Sequence, residues 1–65
     1  MGIGSFWTVV RKFSVACQLG QVHIPQGEHF IVRDVSWYRG QEYAITTVRG
    51  MVVAIPVELI PANCK

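Results

Sequence analysis

Ile24-Pro25-Gln26-Gly27-Glu28-His29-Phe30-Ile31-Val32 and Met51-Val52-Val53-Ala54-Ile55-Pro56-Val57-Glu58-Leu59-Ile60 are the two stretches that decide how this chain folds. In the first, Pro25 presets φ for a turn, Gly27 can take positive φ, and an apolar run follows. It reads as a turn leading into a strand. In the second, a β-branched run meets Pro56, which has no N–H to give to a ladder, so the strand stops there. Val57-Glu58-Leu59 then fits one 3₁₀ turn. Ile60 to Cys64 reads as a short final strand, which Pro61 places at a sheet edge.

The rest of the chain falls into place around these stretches. Phe6 to Phe13 is rich in β-formers and reads as a first strand. Ser14 to Gln21, with Gly20 as a breaker, suits a long loop or irregular hairpin, and Val22-His23-Ile24 is a short extended piece. His29 to Ser36 is the second strand. Phe30, Val32 and Asp34 share one face, and Ile31, Arg33 and Val35 the other. Trp37 to Gln41 is a loop or hairpin tip, and Glu42 to Val48 is the third strand. Arg49-Gly50 makes a tight hairpin to a fourth strand, Met51 to Ile55. No ten-residue stretch carries a helical period. The expectation is one all-β domain over residues 1–65, with residues 1–5 as a flexible lead-in.

Size and composition narrow the functional classes. A chain of 65 residues buries only about 60% of its unfolded surface. With 51% hydrophobic residues, any apolar surface that one small core cannot hold points to a partner or a homo-oligomer. The net charge of +2 is spread over Arg11, Lys12, Arg33, Arg39, Arg49 and Lys65 against four dispersed acids, without a basic run. Nucleic acid does not follow from that charge alone. Cys17 and Cys64, in the first loop and at the C-terminal end, read as free thiols, although the first and last strands of a small barrel lie close enough for a disulfide. These cysteines with His23 and His29 have no zinc-ligand spacing. The start, Met1-Gly2-Ile3-Gly4-Ser5-Phe6, has Phe where a myristoylation pattern has Ser or Thr. No apolar run approaches the roughly 18–20 residues of a membrane span. The expectation is a cytoplasmic chain without cofactor, metal or membrane contact.

Strand, long loop, turn, strand, loop, strand, tight hairpin, strand, 3₁₀ turn, strand: over Val9 to Ala62 this order resembles an SH3-like barrel. Gln26-Gly27-Glu28 is similar to the Lys-Gly-Glu or Lys-Gly-Asp that opens the second strand of SH3 domains, and Ala54-Ile55-Pro56 to the aromatic-Ile/Val-Pro near the end of their fourth. The resemblance implies a small five-stranded SH3-like barrel with a 3₁₀ turn before the last strand, and Ile55, Val57 and Ile60 in one core. It also implies a peptide groove, and here the chain departs from the family. The first tyrosine of the Ala-Leu-Tyr-Asp-Tyr motif falls on Arg11, and only Phe13 keeps an aromatic. The groove Trp falls on Tyr43 or Glu42, the 3₁₀ tyrosine falls on Leu59, and Pro56 is retained. Such a barrel looks more like a small bacterial or phage protein than a reader of proline-rich peptides. A plasmid-type dihydrofolate reductase, a tetramer of tiny SH3-like barrels, has a pore motif comparable to Val52-Val53-Ala54-Ile55-Pro56, but its Gln and Tyr are missing here.

Three functions follow as expectations. The first is a non-enzymatic protein-interaction module that docks on a larger protein. Trp37, Tyr38 and Arg39 would be its hot spot, because adjacent aromatics and Arg dominate interface energetics, and Tyr43, Phe13 and Pro56 would line the remnant groove. The second is nucleic-acid binding through Arg11, Arg33, Arg39 and Arg49 with the same aromatics stacking on bases. The third is a tetrameric reductase-like enzyme. Catalytic residues are not assigned: His23 and His29 stand in no recognised nucleophile motif, and the acids are single.

Overall fold

The computed structural model describes residues 1–17 and 20–65. Within them lie seven strands and one short helix: β1 (Phe6–Thr8), β2 (Phe13–Cys17), β3 (Gly20–Ile24), β4 (His29–Ile31), β5 (Asp34–Tyr38), β6 (Gln41–Val48), β7 (Met51–Pro56) and α1 (Leu59–Asn63). The strands pair antiparallel in three small sheets, β1–β4, β2–β3 and β5–β6–β7. The all-β class holds. The ladders among the described residues do not close into one five-stranded barrel; the predicted strands are subdivided, for local reasons.

The first predicted strand breaks after Val9. Val9 is buried, donates its N–H to the Glu28 carbonyl (2.8 Å), and accepts from Gly27 N–H (2.8 Å). The N–H groups of Val10 and Arg11 both donate to the Asn63 carbonyl (2.8 and 3.1 Å), so the chain bends there and restarts as β2. Of the long loop or irregular hairpin expected from Ser14 to Gln21, the hairpin is what forms, and it is largely ladder. Register pairs Phe13 with Ile24, Val15 with Val22 and Cys17 with Gly20, while residues 18 and 19 lie outside the described residues. Alternation explains it: Val15 and Ile24 are buried on one face, and Ser14 and His23 sit on the other.

The second predicted strand is split by a β-bulge. Arg33 N–H donates to the Ile45 carbonyl (2.9 Å), yet Ile45 has Asp34 as its register partner, so two residues oppose one. The extra residue reverses the alternation. Phe30 and Val32 point into the core before it; after it Val35 packs against the core, and Asp34, Ser36 and Tyr38 face outward.

The loop or hairpin tip expected over Trp37 to Gln41 is a hairpin tip, but its turn is Arg39-Gly40 alone, and Trp37, Tyr38 and Gln41 belong to β5 and β6. Both two-residue turns have positive φ throughout, 51° and 77° at Arg39-Gly40 and 51° and 78° at Arg49-Gly50. This is the twist-matched hairpin geometry, in which Gly sits without strain and Arg does not.

Pro56 lies inside β7, opposite Tyr43, on an edge strand where its missing N–H breaks no ladder. The predicted 3₁₀ turn and final strand are instead a turn followed by α1. Pro61 fits because it falls in the first helical turn, where an N–H has no intrahelical acceptor. Of the predicted last strand only Cys64 bridges Val9. Thr8 and Lys65 exchange backbone hydrogen bonds (2.8 and 2.9 Å), so the end of the chain closes on β1. The predicted lead-in makes a turn in which Gly4 N–H donates to Val32 and Ser5 accepts from Val32 N–H.

The core comprises Val9, Val15, Ile24, Phe30, Val32, Ala44, Val48, Val53, Ile55, Ile60 and Cys64, with Val57 packed against it. Each fully buried aliphatic contributes roughly 1.5–3 kcal/mol. Thr46 is the one buried polar residue among the described residues; its hydroxyl donates to the Ile31 carbonyl (2.7 Å), tying β6 to β4.

Candidate interaction surface

Register fixes what the outer face of β5–β6–β7 presents. Ser36, Tyr43 and Pro56 form one cross-strand row, and Asp34, Ile45 and Ala54 the next. Tyr38 opposite Gln41 and Thr47 opposite Val52 complete the face. A sheet face in contact with water is normally polar, since alternation along each strand sends the apolar residues to the core side. This one carries a single charge, Asp34. Tyr38 is 61% exposed and Val52 74% exposed. Ser36, Tyr38, Tyr43, Ile45 and Ala54 line a shallow depression of about 210 Å³. Beyond β7 the face continues into a cleft of about 450 Å³, walled by Ala16, Cys17 and Val22 on one side and Met51 to Ala54 on the other.

Trp37 is 67% exposed but in phase with Val35, on the core side of β5 past the end of the packed core, opposite Glu42. Arg39 places its guanidinium over the Tyr38 ring, 5.3 Å from the centroid. Of the six residues read as a protein-binding site, Tyr38, Tyr43 and Pro56 therefore share one face. Arg39 borders it, and Trp37 occupies the reverse side of the same strand. Phe13 is separate: half-buried, it packs on the core and lines a different hollow with Lys12, Ser14, His23 and Pro25.

The arginines do not converge. Arg49 pairs with Glu28 (3.3 Å), Arg39 stacks on Tyr38, and Arg11 sits at the bend after β1. Arg33 borders a hollow of about 330 Å³ with Phe6, His29, Phe30, Ile31 and Thr47. There the rings of Phe6 and His29 stack at 5.5 Å and 19°.

Two hydroxyl–imidazole pairs are invisible in the linear sequence. Ser14 Oγ lies 2.8 Å from His23 Nδ1, and Thr8 Oγ1 lies 2.9 Å from His29 Nδ1. Cross-strand register brings each pair together, and register was the one signal that could have found them. Among the described residues neither imidazole bonds a carboxylate, the partner that would orient it as a general base. Cys17 is exposed and Cys64 buried, both as free thiols, and burial pushes the Cys64 thiol above its ordinary value. Among the described residues no cluster of three His, Cys, Asp or Glu could hold a metal ion, and no helix is long and apolar enough to cross a membrane. Comparison with protein-family models, with curated proteins and with solved structures gave no match, so the reading of this chain rests on its own geometry.

Proposed function

We propose that this chain is a non-enzymatic protein-interaction module of SH3-like architecture, and that it docks on a larger protein with Trp37 as its anchor. The SH3-like reading is supported by element order: a first hairpin, a turn at residues 25–28, a kinked strand, two tight hairpins, then a helical turn that returns the chain to β1. The interaction reading is carried by one observation. Trp37 and Tyr38 stay largely exposed although they lie in a regular strand beside a rigid two-residue turn. Large aromatics held at low conformational freedom lose little entropy on binding and supply most of an interface's energy. Tyr38, Arg39, Tyr43 and Pro56 add a second protein-contact face on the opposite side of the same sheet.

The test is capture of a defined partner by the immobilised chain, compared with Trp37→Ala. Because Trp37 lies beyond the core, the variant keeps its melting temperature within about 5 °C and loses capture by at least tenfold. Undiminished capture by a folded Trp37→Ala protein refutes the reading.

The hollow at Phe6, His29 and Arg33 favours nucleic acid as a second reading, since a stacked aromatic pair beside a guanidinium suits a base and its phosphate. Retention on single-stranded DNA or RNA would then fall with salt and be lost in Arg33→Ala. Retention unchanged by that substitution refutes it.

A further inference from the structure

We infer that the outer face of β5–β6–β7 is closed by a second copy of this chain, giving a two-fold dimer that leaves both Trp37 side chains open. The inference rests on the reading of that face as a protein-contact surface and names its occupant.

Area sets the strength of the contact. Three strands about 4.8 Å apart, six residues long at about 3.3 Å each, cover roughly 300 Å² in plan. Stable interfaces bury about 800 Å² per partner, nearly a fifth of the 4372 Å² that this chain exposes. The sheet face alone falls short. Continued through Val52 and Ala54 into the cleft walled by Ala16, Cys17 and Val22, it reaches roughly 400 Å² per partner, the size of a weak, transient contact. A surface of this size supports a weak, reversible dimer that forms only at high protein concentration.

Charge favours a second copy as the occupant. The face is uncharged and apolar at its centre, and its charges lie at the border, where Gln41 also donates to the Glu58 carboxylate (2.8 Å). At its β5 border it carries Asp34 at one end of the strand and Arg39 at the other. Arg39 belongs to this side because its guanidinium lies over Tyr38, which points outward. A two-fold axis crossing the strands at the Ser36–Tyr43–Pro56 row stacks β5 antiparallel on its mate. That operation sets each Asp34 against the other copy's Arg39 twice over, and Tyr43 against Tyr43. Such self-complementarity is the mark of an isologous interface.

The backbone points to face packing over edge-to-edge addition of β5. Asp34 Oδ1 accepts the Val35 N–H (2.8 Å), occupying a donor that an added strand would need. Trp37, in phase with the core side, takes no part in the contact.

Sedimentation equilibrium of the full chain from about 5 µM to 1 mM, under reducing conditions because Cys17 borders the cleft, tests the inference. Wild type is expected to dimerise and Val52→Glu to be monomeric. Val52 is exposed, so that variant should stay folded, and circular dichroism checks it. Asp34→Arg and Arg39→Asp should each weaken dimerisation about tenfold, and the double reversal should restore it, since it exchanges the paired charges. A wild type that stays monomeric at 1 mM overturns the inference, as does a dimer indifferent to Val52→Glu. A double reversal as weak as the single ones overturns the antiparallel arrangement. Trp37→Ala should dimerise like wild type while losing the larger partner, so failure here is separable from failure of the docking reading.

Discussion

Removing one hydroxyl tests whether the two sheets are joined as described. Thr46 is fully buried on β6, and its hydroxyl donates to the Ile31 carbonyl of β4 (2.7 Å), the side-chain link between the β1–β4 and β5–β7 sheets. Thr46→Val keeps the shape and deletes the donor. The lost hydrogen bond is worth about 1 kcal/mol, and the orphaned Ile31 carbonyl adds about 1 more, because Ile31 is half-exposed and water partly replaces the donor. The extra methyl returns about 0.8 kcal/mol. The net expectation is about 1 kcal/mol of destabilisation, a fall in Tm of about 4–8 °C for a domain this size. Thr46→Ser keeps the bond and loses a methyl, for a similar loss of about 1 kcal/mol. Thr46→Ala loses both and should fall by about 2–3 kcal/mol. Urea denaturation with an unchanged slope separates Thr46→Ala from the other two and each of them from wild type. A Thr46→Val protein as stable as wild type would show that the bond does not hold the sheets.

Three further outcomes are expected. Arg49→Asn should raise stability by about 0.5 kcal/mol: it relieves about 1 kcal/mol of positive-φ strain and gives up an exposed ion pair with Glu28 worth less; a lower Tm would mean that the ion pair outweighs the strain. Burial raises the Cys64 thiol, so the unfolded chain loses this proton first, from its ordinary value near 9 upward. Wild type should therefore lose more stability between pH 8 and 10 than Cys64→Ala does, and equal losses would remove the assignment. Iodoacetamide at neutral pH should label Cys17 quickly and Cys64 only at the rate of unfolding, read by mass spectrometry of digests; equal labelling rates would contradict the burial of Cys64.

The strand content, the Arg49-Gly50 hairpin and the inward positions of Phe30, Val32, Ile55 and Ile60 were legible because each rests on local chemistry: β-branching, a glycine after a turn residue, a period of two. The bulge at Arg33 was not. Nothing in Val-Arg-Asp-Val announces an extra residue, and the missed reversal of phase placed Asp34 on the core face. That slip also hid the separation of Trp37 from Tyr38, since both looked like loop residues. The last segment failed for another reason. Pro61 reads as a strand edge or as a helix start equally well, and only the pull of Asn63 and Cys64 back to the first strand selects the helix. Within the candidate surface, Tyr43 and Pro56 were legible as neighbours because tight hairpins fix register. Phe13 was not placed, because it was read as the end of the first strand, whereas it opens β2 after the bend at Val10 and Arg11.

The closure of Cys64 and Lys65 onto Thr8 and Val9 also sets the order in which the molecule can assemble. The hairpins at Arg39-Gly40 and Arg49-Gly50 join residues close in sequence and form on the microsecond scale. The Val9–Cys64 bridge spans nearly the whole chain, and such contacts come late because the loop they close is long. During folding β5 to β7 can pair early, but Val9 and Ile55 remain uncovered until Ile60 and Cys64 pack against them. The pairing of Cys64 and Lys65 with Val9 and Thr8 therefore governs how long the folding domain stays open to proteases and chaperones.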